Sequence, residues 1–447
     1  MRKHLLFSLL LCTSCLSLSA QASTLWGPLL RQAPTGPVSR AIEASPRKSW
    51  FTGSQQAPVP AASAQAPQAP PPLNSHYGKD GFTFSTQDGL FSLAIQNRIQ
   101  SRYANPFDRD PRSVSDLQRT ESSFMIRRAR TKMNGHAYWP WLKYSMQYDW
   151  KDPILRDLNL TIDKYPWARF WAGRGKVVYN DERVISSGRQ QFVNRSIVND
   201  IFTVDRQQGL QLSGNLFPQT WYDLSYAVGV FSGMGVGERN NDDFNMMYAG
   251  RLQWNILGGA ASFSQSDLAL SPAPIINLAL AAATNQSRCT AFATQAESCR
   301  SLPGFAAGEA GQYRLNQTME EFRLRWQGWS VNQELHWKEV IDRNKAAGES
   351  GRDTDMPGGL VQVGYFPHAL LPAVPRELKL ALRYAFVDPN LRQNSDLQQE
   401  FSGVLNYFFN GHYNKVSLQL SQLLVADPTS HRQQAAQRLW LQWDLSF

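Results

Sequence analysis

Residues Phe91 to Tyr103 read Phe-Ser-Leu-Ala-Ile-Gln-Asn-Arg-Ile-Gln-Ser-Arg-Tyr. Odd positions carry Phe91, Leu93, Ile95 and Ile99, while even positions carry Ser92, Gln96, Arg98, Gln100 and Arg102. Successive side chains of a strand point to opposite faces, so this stretch has one apolar face and one polar, basic face. The end of the chain repeats the pattern, with Leu439, Leu441, Trp443, Leu445 and Phe447 set against Gln442, Asp444 and Ser446.

Between these two stretches, segments of about ten residues with the same alternation recur, joined in turn by tight turns and by longer polar loops. They fall near 91–104, 122–136, 142–151, 156–165, 168–178, 208–217, 221–233, 245–257, 260–270, 319–328, 330–343, 358–367, 377–389, 398–411, 414–427 and 436–447. An even count, with short turns on one side and long loops on the other, predicts an all-β fold: a 16-stranded antiparallel transmembrane β-barrel. Closure also removes the strand edges that hydrocarbon could not satisfy. Tyr138-Trp139-Pro140-Trp141, Tyr165-Pro166-Trp167, Trp221-Tyr222 and Trp329 gather at the short turns, as an aromatic girdle at the headgroup level requires. The final Phe447 after an alternating strand resembles the C-terminal signature read by outer-membrane assembly machinery.

The N-terminus points to export. Arg2 and Lys3 precede an apolar run from Leu5 to Leu11, and Ala20-Gln21-Ala22 is a small-x-small cleavage pattern, so residues 1–22 are expected to be a signal peptide. Residues 23–80 are rich in Ala, Pro, Gln and Ser, peaking from Ala57 to Pro72, and are expected to form a disordered periplasmic extension. The barrel domain is expected over 81–447. The run Ile275 to Ala283 is too short for a spanning helix, which excludes a helical membrane protein. In an oxidising compartment Cys289 and Cys299 would close one loop with a disulfide.

The 447 residues carry a formal charge of +9, and the position of the bases decides what that surplus serves. An outward apolar face leaves the polar set of each strand in the lumen. That set holds Arg98 and Arg102; Arg128, Arg130 and Lys132; Arg323 and Arg325; Lys338; and Lys379 with Arg383, with Arg127 on the opposite parity. The third external connection, 179–207, adds Arg183, Arg189, Arg195 and Arg206 together with Phe192, Ile197, Ile201 and Phe202. A solvated loop has little use for four such apolar residues, so this loop is expected to fold into the lumen and present its arginines at a constriction. The expected solute-binding set is Arg98, Arg102, Arg128, Arg130, Lys132, Arg183, Arg189, Arg195, Arg323, Arg325 and Arg383. Rings of Arg and Lys favour anions, so a passive channel for small anions follows.

Several stretches resemble, in order, the phosphate-selective porin family sometimes named for porins O and P. They are Phe124-Met125-Ile126-Arg127-Arg128-Ala129-Arg130 with Gly135; Gly173-Arg174-Gly175-Lys176 leading to Asn194-Arg195-Ser196; Arg206 with Gly209; Arg383-Tyr384-Ala385 with Asp388-Pro389; and Leu405-Asn406-Tyr407-Phe408. The resemblance spans about Gly81 to Phe447 and implies a homotrimer in the Gram-negative outer membrane whose third loop forms an arginine-lined constriction for phosphate or polyphosphate. The Pro/Ala/Gln stretch departs from the coiled-coil N-terminal region of some members. A general, carboxylate or sugar porin stays open as an alternative. An outer-membrane hydrolase would need a His beside a nucleophile, and no mature histidine lies in such a motif. No His, Cys and carboxylate cluster has ligand spacing, so no metal or cofactor is expected. Bases spread over many strands disfavour nucleic acid.

Overall fold

In the computed structural model, residues 73–236, 240–292, 299–344, 353–427 and 430–447 are described. The expected signal peptide and most of the extension, residues 1–72, lie outside them. Alternation of long apolar and polar side chains, supported by β-branched and aromatic residues, sets the strands, which run as an antiparallel meander. They are β1 (Phe91–Asn105), β2 (Ser123–Ala137), β3 (Trp139–Asp149), β4 (Ile154–Tyr165), β5 (Ala168–Lys176), β6 (Arg206–Leu216), β7 (Leu224–Phe231), β8 (Met247–Leu257), β9 (Ile275–Ser287), β10 (Tyr313–Trp326), β11 (Trp329–Asp342), β12 (Thr354–Tyr365), β13 (Leu378–Val387), β14 (Gln398–His412), β15 (Asn414–Asp427) and β16 (Arg432–Ser446). β16 returns to β1, from Leu439 opposite Asn105 to Ser446 opposite Arg98, and closes a sixteen-stranded barrel.

Two expectations are corrected. The expected strand at 260–270 is a connection, and the ninth strand is Ile275–Ser287. Gly258 and Gly259, at φ 71° and 75°, turn the chain out of β8 in a conformation that side chains resist. The true strand hides its period because its inward positions include Ala279, Ala281 and Ala283, small residues against which loop residues pack, so it reads as one continuous apolar run. The extension also ends earlier than residue 80: Asn74–Gly78 pairs with Gly81–Ser85, and that second strand runs beside β1 from Phe82 opposite Ile95 to Ser85 opposite Ser92. The hairpin thus continues the wall below the point where β16 stops.

Outward positions form an apolar belt, with Leu160, Leu252, Leu280, Leu380, Leu382 and Leu420 all exposed. Trp139, Trp167, Trp221 and Trp329 are exposed at the short-turn end. The buried apolar residues lie inside the barrel instead. The connection between β5 and β6, residues 177–205 and hereafter L3, folds into the lumen, and its short helix Ile197–Phe202 packs Ile197, Val198, Ile201 and Phe202 against Leu315, Val340, Met356, Leu360, Val387 and Leu423 of the wall. At about 1.5–3 kcal/mol for each large apolar side chain removed from water, these four residues offset much of the cost of ordering the helix that carries them.

Candidate functional site

L3 divides the lumen in two. On the β8–β16 side its backbone is hydrogen-bonded to the wall. Glu321 accepts from the Asp181 amide at 2.8 Å and Glu334 from the Glu182 amide at 2.7 Å. Glu400 accepts from the Ile197 amide at 3.1 Å, and Gln419 from that of Val193 at 2.9 Å. Three buried lysines satisfy loop oxygens: Lys415 donates to the Gln190 carbonyl at 2.6 Å, Lys338 to that of Ile201 at 3.1 Å, and Lys379 to the Gln191 side chain at 2.8 Å. A buried carbonyl or ammonium left alone costs far more than a made bond contributes, so these partners fix the path of L3.

On the β1–β6 side only side chains such as Arg98, Arg102 and Lys176 bridge L3 to the wall, and a cavity of about 700 Å³ opens between them. Its lining carries fifteen Arg and Lys side chains and six Asp, a surplus of +9. Seven of the eleven residues expected from sequence meet there: Arg98, Arg128, Arg130, Lys132, Arg183, Arg189 and Arg195. A bulge at Arg127, where Gln100 faces Arg128 but Ser101 faces Ile126, resolves the parity conflict on β2 by turning both Arg127 and Arg128 toward the cavity.

The other four do not line it. Arg102 bonds Asp108 at 2.7 Å and the Val193 carbonyl at 3.2 Å. Arg323 lies 2.5 Å from Asp181, and Arg325 donates to Asn332 at 2.6 Å and to the Val331 carbonyl at 2.9 Å. Arg383 is paired with Glu400, donates to the Asn194 carbonyl at 3.0 Å and lies 4.3 Å over the Phe192 ring. These four hold L3, its neighbours or the wall in place.

Within the cavity the bases differ in what they touch. Arg130 and Arg156 share Asp149 at 2.7 and 2.6 Å, Arg206 is 2.7 Å from Asp157, and Arg183 is paired with Asp205. Arg195 donates to the backbone carbonyls of Glu182 and Ile185 at 2.6 and 2.8 Å, and Lys176 to that of Val184 at 2.9 Å. Among the described residues, Arg98, Arg128, Lys132 and Arg189 have no carboxylate at ion-pair distance. Arg98 is held by the Ser186 and Ser446 hydroxyls at 2.7 and 3.0 Å, and Arg128 by the Gln100 side chain at 2.7 Å. Hydroxyl and amide partners orient a guanidinium without cancelling its charge, so these four present full positive charge to whatever enters.

The solved structures similar to this one share its barrel. A trimer form of the outer membrane protein OmpT of Vibrio cholerae superposes with a TM-score of 0.52 at 9% identity, over 80% of this chain and 99% of that one. An anion-selective porin from Comamonas acidovorans gives 0.51 at 9%, over 80% and 100%, and the outer membrane channel DcaP of Acinetobacter baumannii 0.51 at 10%, over 81% and 99%. The fold is that of outer-membrane porins. No protein-family model and no curated protein sequence matches the chain.

Within that porin fold, several lining residues escape sequence reading. Arg109, Arg112 and Arg119 come from the loop after β1, which turns inward on buried Phe107, and Arg300 from the loop after β9. Arg112 and Arg300 both pair with Asp200 at the long-loop mouth. Loops have no period to read, so only folding brings these bases to the cavity. Arg156 shares the parity of apolar Leu158 and Leu160 and turns inward only because it is the extra residue of the bulge where Gln147 faces Asp157 but Tyr148 faces Leu155. Cys289 is disulfide-bonded, while the Cys299 side chain lies outside those described.

Proposed function

We propose that this protein is an outer-membrane channel for passive diffusion of small anions, conducted between L3 and the β1–β6 wall. The observation that carries the reading is the set Arg98, Arg128, Lys132 and Arg189, four bases without a carboxylate partner facing one cavity with a surplus of +9. Low-dielectric walls focus such a charge and raise the local concentration of anions. The anion selectivity of the Comamonas porin that shares the fold supports this, and the outward apolar belt supports a membrane setting.

The finer proposals are phosphate or polyphosphate as solute, a homotrimer like the trimer form of the Vibrio protein, export through residues 1–22 with an extension to residue 72 in the periplasm, and a disulfide between Cys289 and Cys299. Tetrahedral oxyanions suit the site because Arg98 and Arg128 offer planar donor forks while Lys132 offers a point charge. Planar-bilayer recording tests the reading. A salt-gradient reversal potential of anion sign, with chloride current blocked by phosphate at lower concentration than by acetate, is expected. A cation-selective reversal potential refutes it.

A further inference from the structure

The connection between β8 and β9, residues 258–274, leaves the barrel at the short-turn end and then rises into the lumen, where Ala261, Gln265, Ser266 and Asp267 are buried. It clasps the underside of L3 twice. The Gln265 amide donates to the Arg189 carbonyl at 3.1 Å, and the Gln265 side-chain oxygen accepts from the Gln191 amide at 3.0 Å. Around that clasp, Lys379 donates to Ser266 Oγ at 2.9 Å and Ser330 Oγ at 2.8 Å, Arg325 donates to the Ser264 carbonyl at 2.8 Å, and the Ser264 hydroxyl meets His412 Nε2 at 2.8 Å.

The same clasp that holds L3 also fixes the backbone around one apolar side chain, Phe263. Phe263 stands 47% exposed and lines the cavity, next to a serine tied to His412 and two residues from the glutamine tied to Arg189. The rest of the lining is almost wholly charged or polar, and Trp171 is its only other aromatic among the described residues. An aromatic ring held half-wet on a rigid loop leaves about half its surface free for a solute. The bases at this end are close by: Arg189 is joined to Gln265 through its carbonyl, Arg98 bonds Ser186 three residues before it, and Lys132 lines the same cavity.

We propose that Phe263, with Arg98, Lys132 and Arg189, forms a subsite at the short-turn end of the bore for organic anions that join a carboxylate to an aromatic ring. The carboxylate takes the guanidinium or ammonium donors, and the ring covers the exposed face of Phe263, which a bare inorganic anion cannot do. The proposal rests on the anion-channel reading and narrows its solutes to include aryl carboxylates.

Benzoate and acetate carry the same charge and the same donor-seeking group, so their difference isolates the ring. In planar bilayers, block of chloride current by benzoate is expected at a concentration about three- to tenfold lower than by acetate, the range of one aromatic contact. Phe263→Ala brings the two together, Phe263→Tyr keeps them apart, and neither variant changes the salt-gradient reversal potential or the block by phosphate. Equal block by benzoate and acetate in the unmodified channel, or a benzoate preference that survives Phe263→Ala, overturns the subsite and leaves the anion channel standing. A channel without anion preference overturns both.

Discussion

Arg128 and Arg383 look alike in the sequence, since both are strand arginines expected to face the lumen, yet they occupy opposite roles there. Arg128 is 8% exposed, bonds only the neutral Gln100 side chain and faces the cavity. Arg128→Gln preserves an amide partner for Gln100 and removes one unit from the surplus of +9. A monovalent anion passing about 4 Å from a lost charge forfeits about 1 kcal/mol at the dielectric of water and about 4 kcal/mol at an effective value near 20. One side of this path is water and its other bases remain, so the lower figure governs, and a two- to fivefold drop in the anion-to-cation permeability ratio is expected. Stability should be unchanged. Arg383→Gln does the reverse: Glu400, with no accessible surface, loses its partner, and breaking a buried pair costs about 3–5 kcal/mol. Reversal potentials in a potassium chloride gradient, with loss of the heat-resistant folded band on gels as the stability reading, separate the two. A reversal potential identical to wild type for Arg128→Gln, or a stable Arg383→Gln barrel with altered selectivity alone, refutes this division of roles.

Lys379→Met removes the ammonium that ties L3 to β11 and to the 258–274 connection, so single-channel recordings should show a noisier open state of higher mean conductance. Gly188→Ala places a Cβ 2.5 Å from Arg98 Cζ, and since the end of a long side chain is what must yield, Arg98 should leave Ser186; single-channel conductance should fall without loss of folding. Raising salt from about 0.1 M to about 1 M shortens the screening length from about 10 Å to about 3 Å, so anion preference measured by reversal potential should shrink markedly.

The barrel was legible where the two faces differ in kind. Leu93 and Ile95 against Gln96 and Arg98, or Leu441 and Trp443 against Gln442 and Asp444, leave one assignment for each side chain. It was illegible at β9, where Ala279 and Ala281 fill the inward positions because L3 packs close, and at 260–270, where alternation belongs to a loop whose Gln265 bonds L3. The site divides similarly. Strand parity brings Arg98, Arg128, Arg130 and Lys132 to one wall, and it also shows Glu321 two residues from Arg323 on one face, a local hint that Arg323 is engaged. The partner of Arg383 is on another strand and its stacking partner Phe192 is on L3, contacts that only a closed topology creates.

L3 converts a mixed lumen into a basic one by choosing which wall to cover. Its carboxylate Asp181 and its carbonyls at Gln190, Asn194 and Ile201 face the β8–β16 wall and are met there by Arg251, Arg323, Lys338, Arg383 and Lys415. The acids of that wall, Glu321, Glu334 and Glu400, are met in turn by L3 amides. Opposite charges paired this way, Arg251 and Arg323 with Asp181 and Arg383 with Glu400, cancel locally and act little on a solute. The whole chain carries 45 bases and 36 acids, whereas the cavity is lined by fifteen bases and six acids, so the lining is far more basic than the chain as a whole. The selectivity proposed for the channel therefore depends on where L3 lies as much as on how many arginines the strands carry.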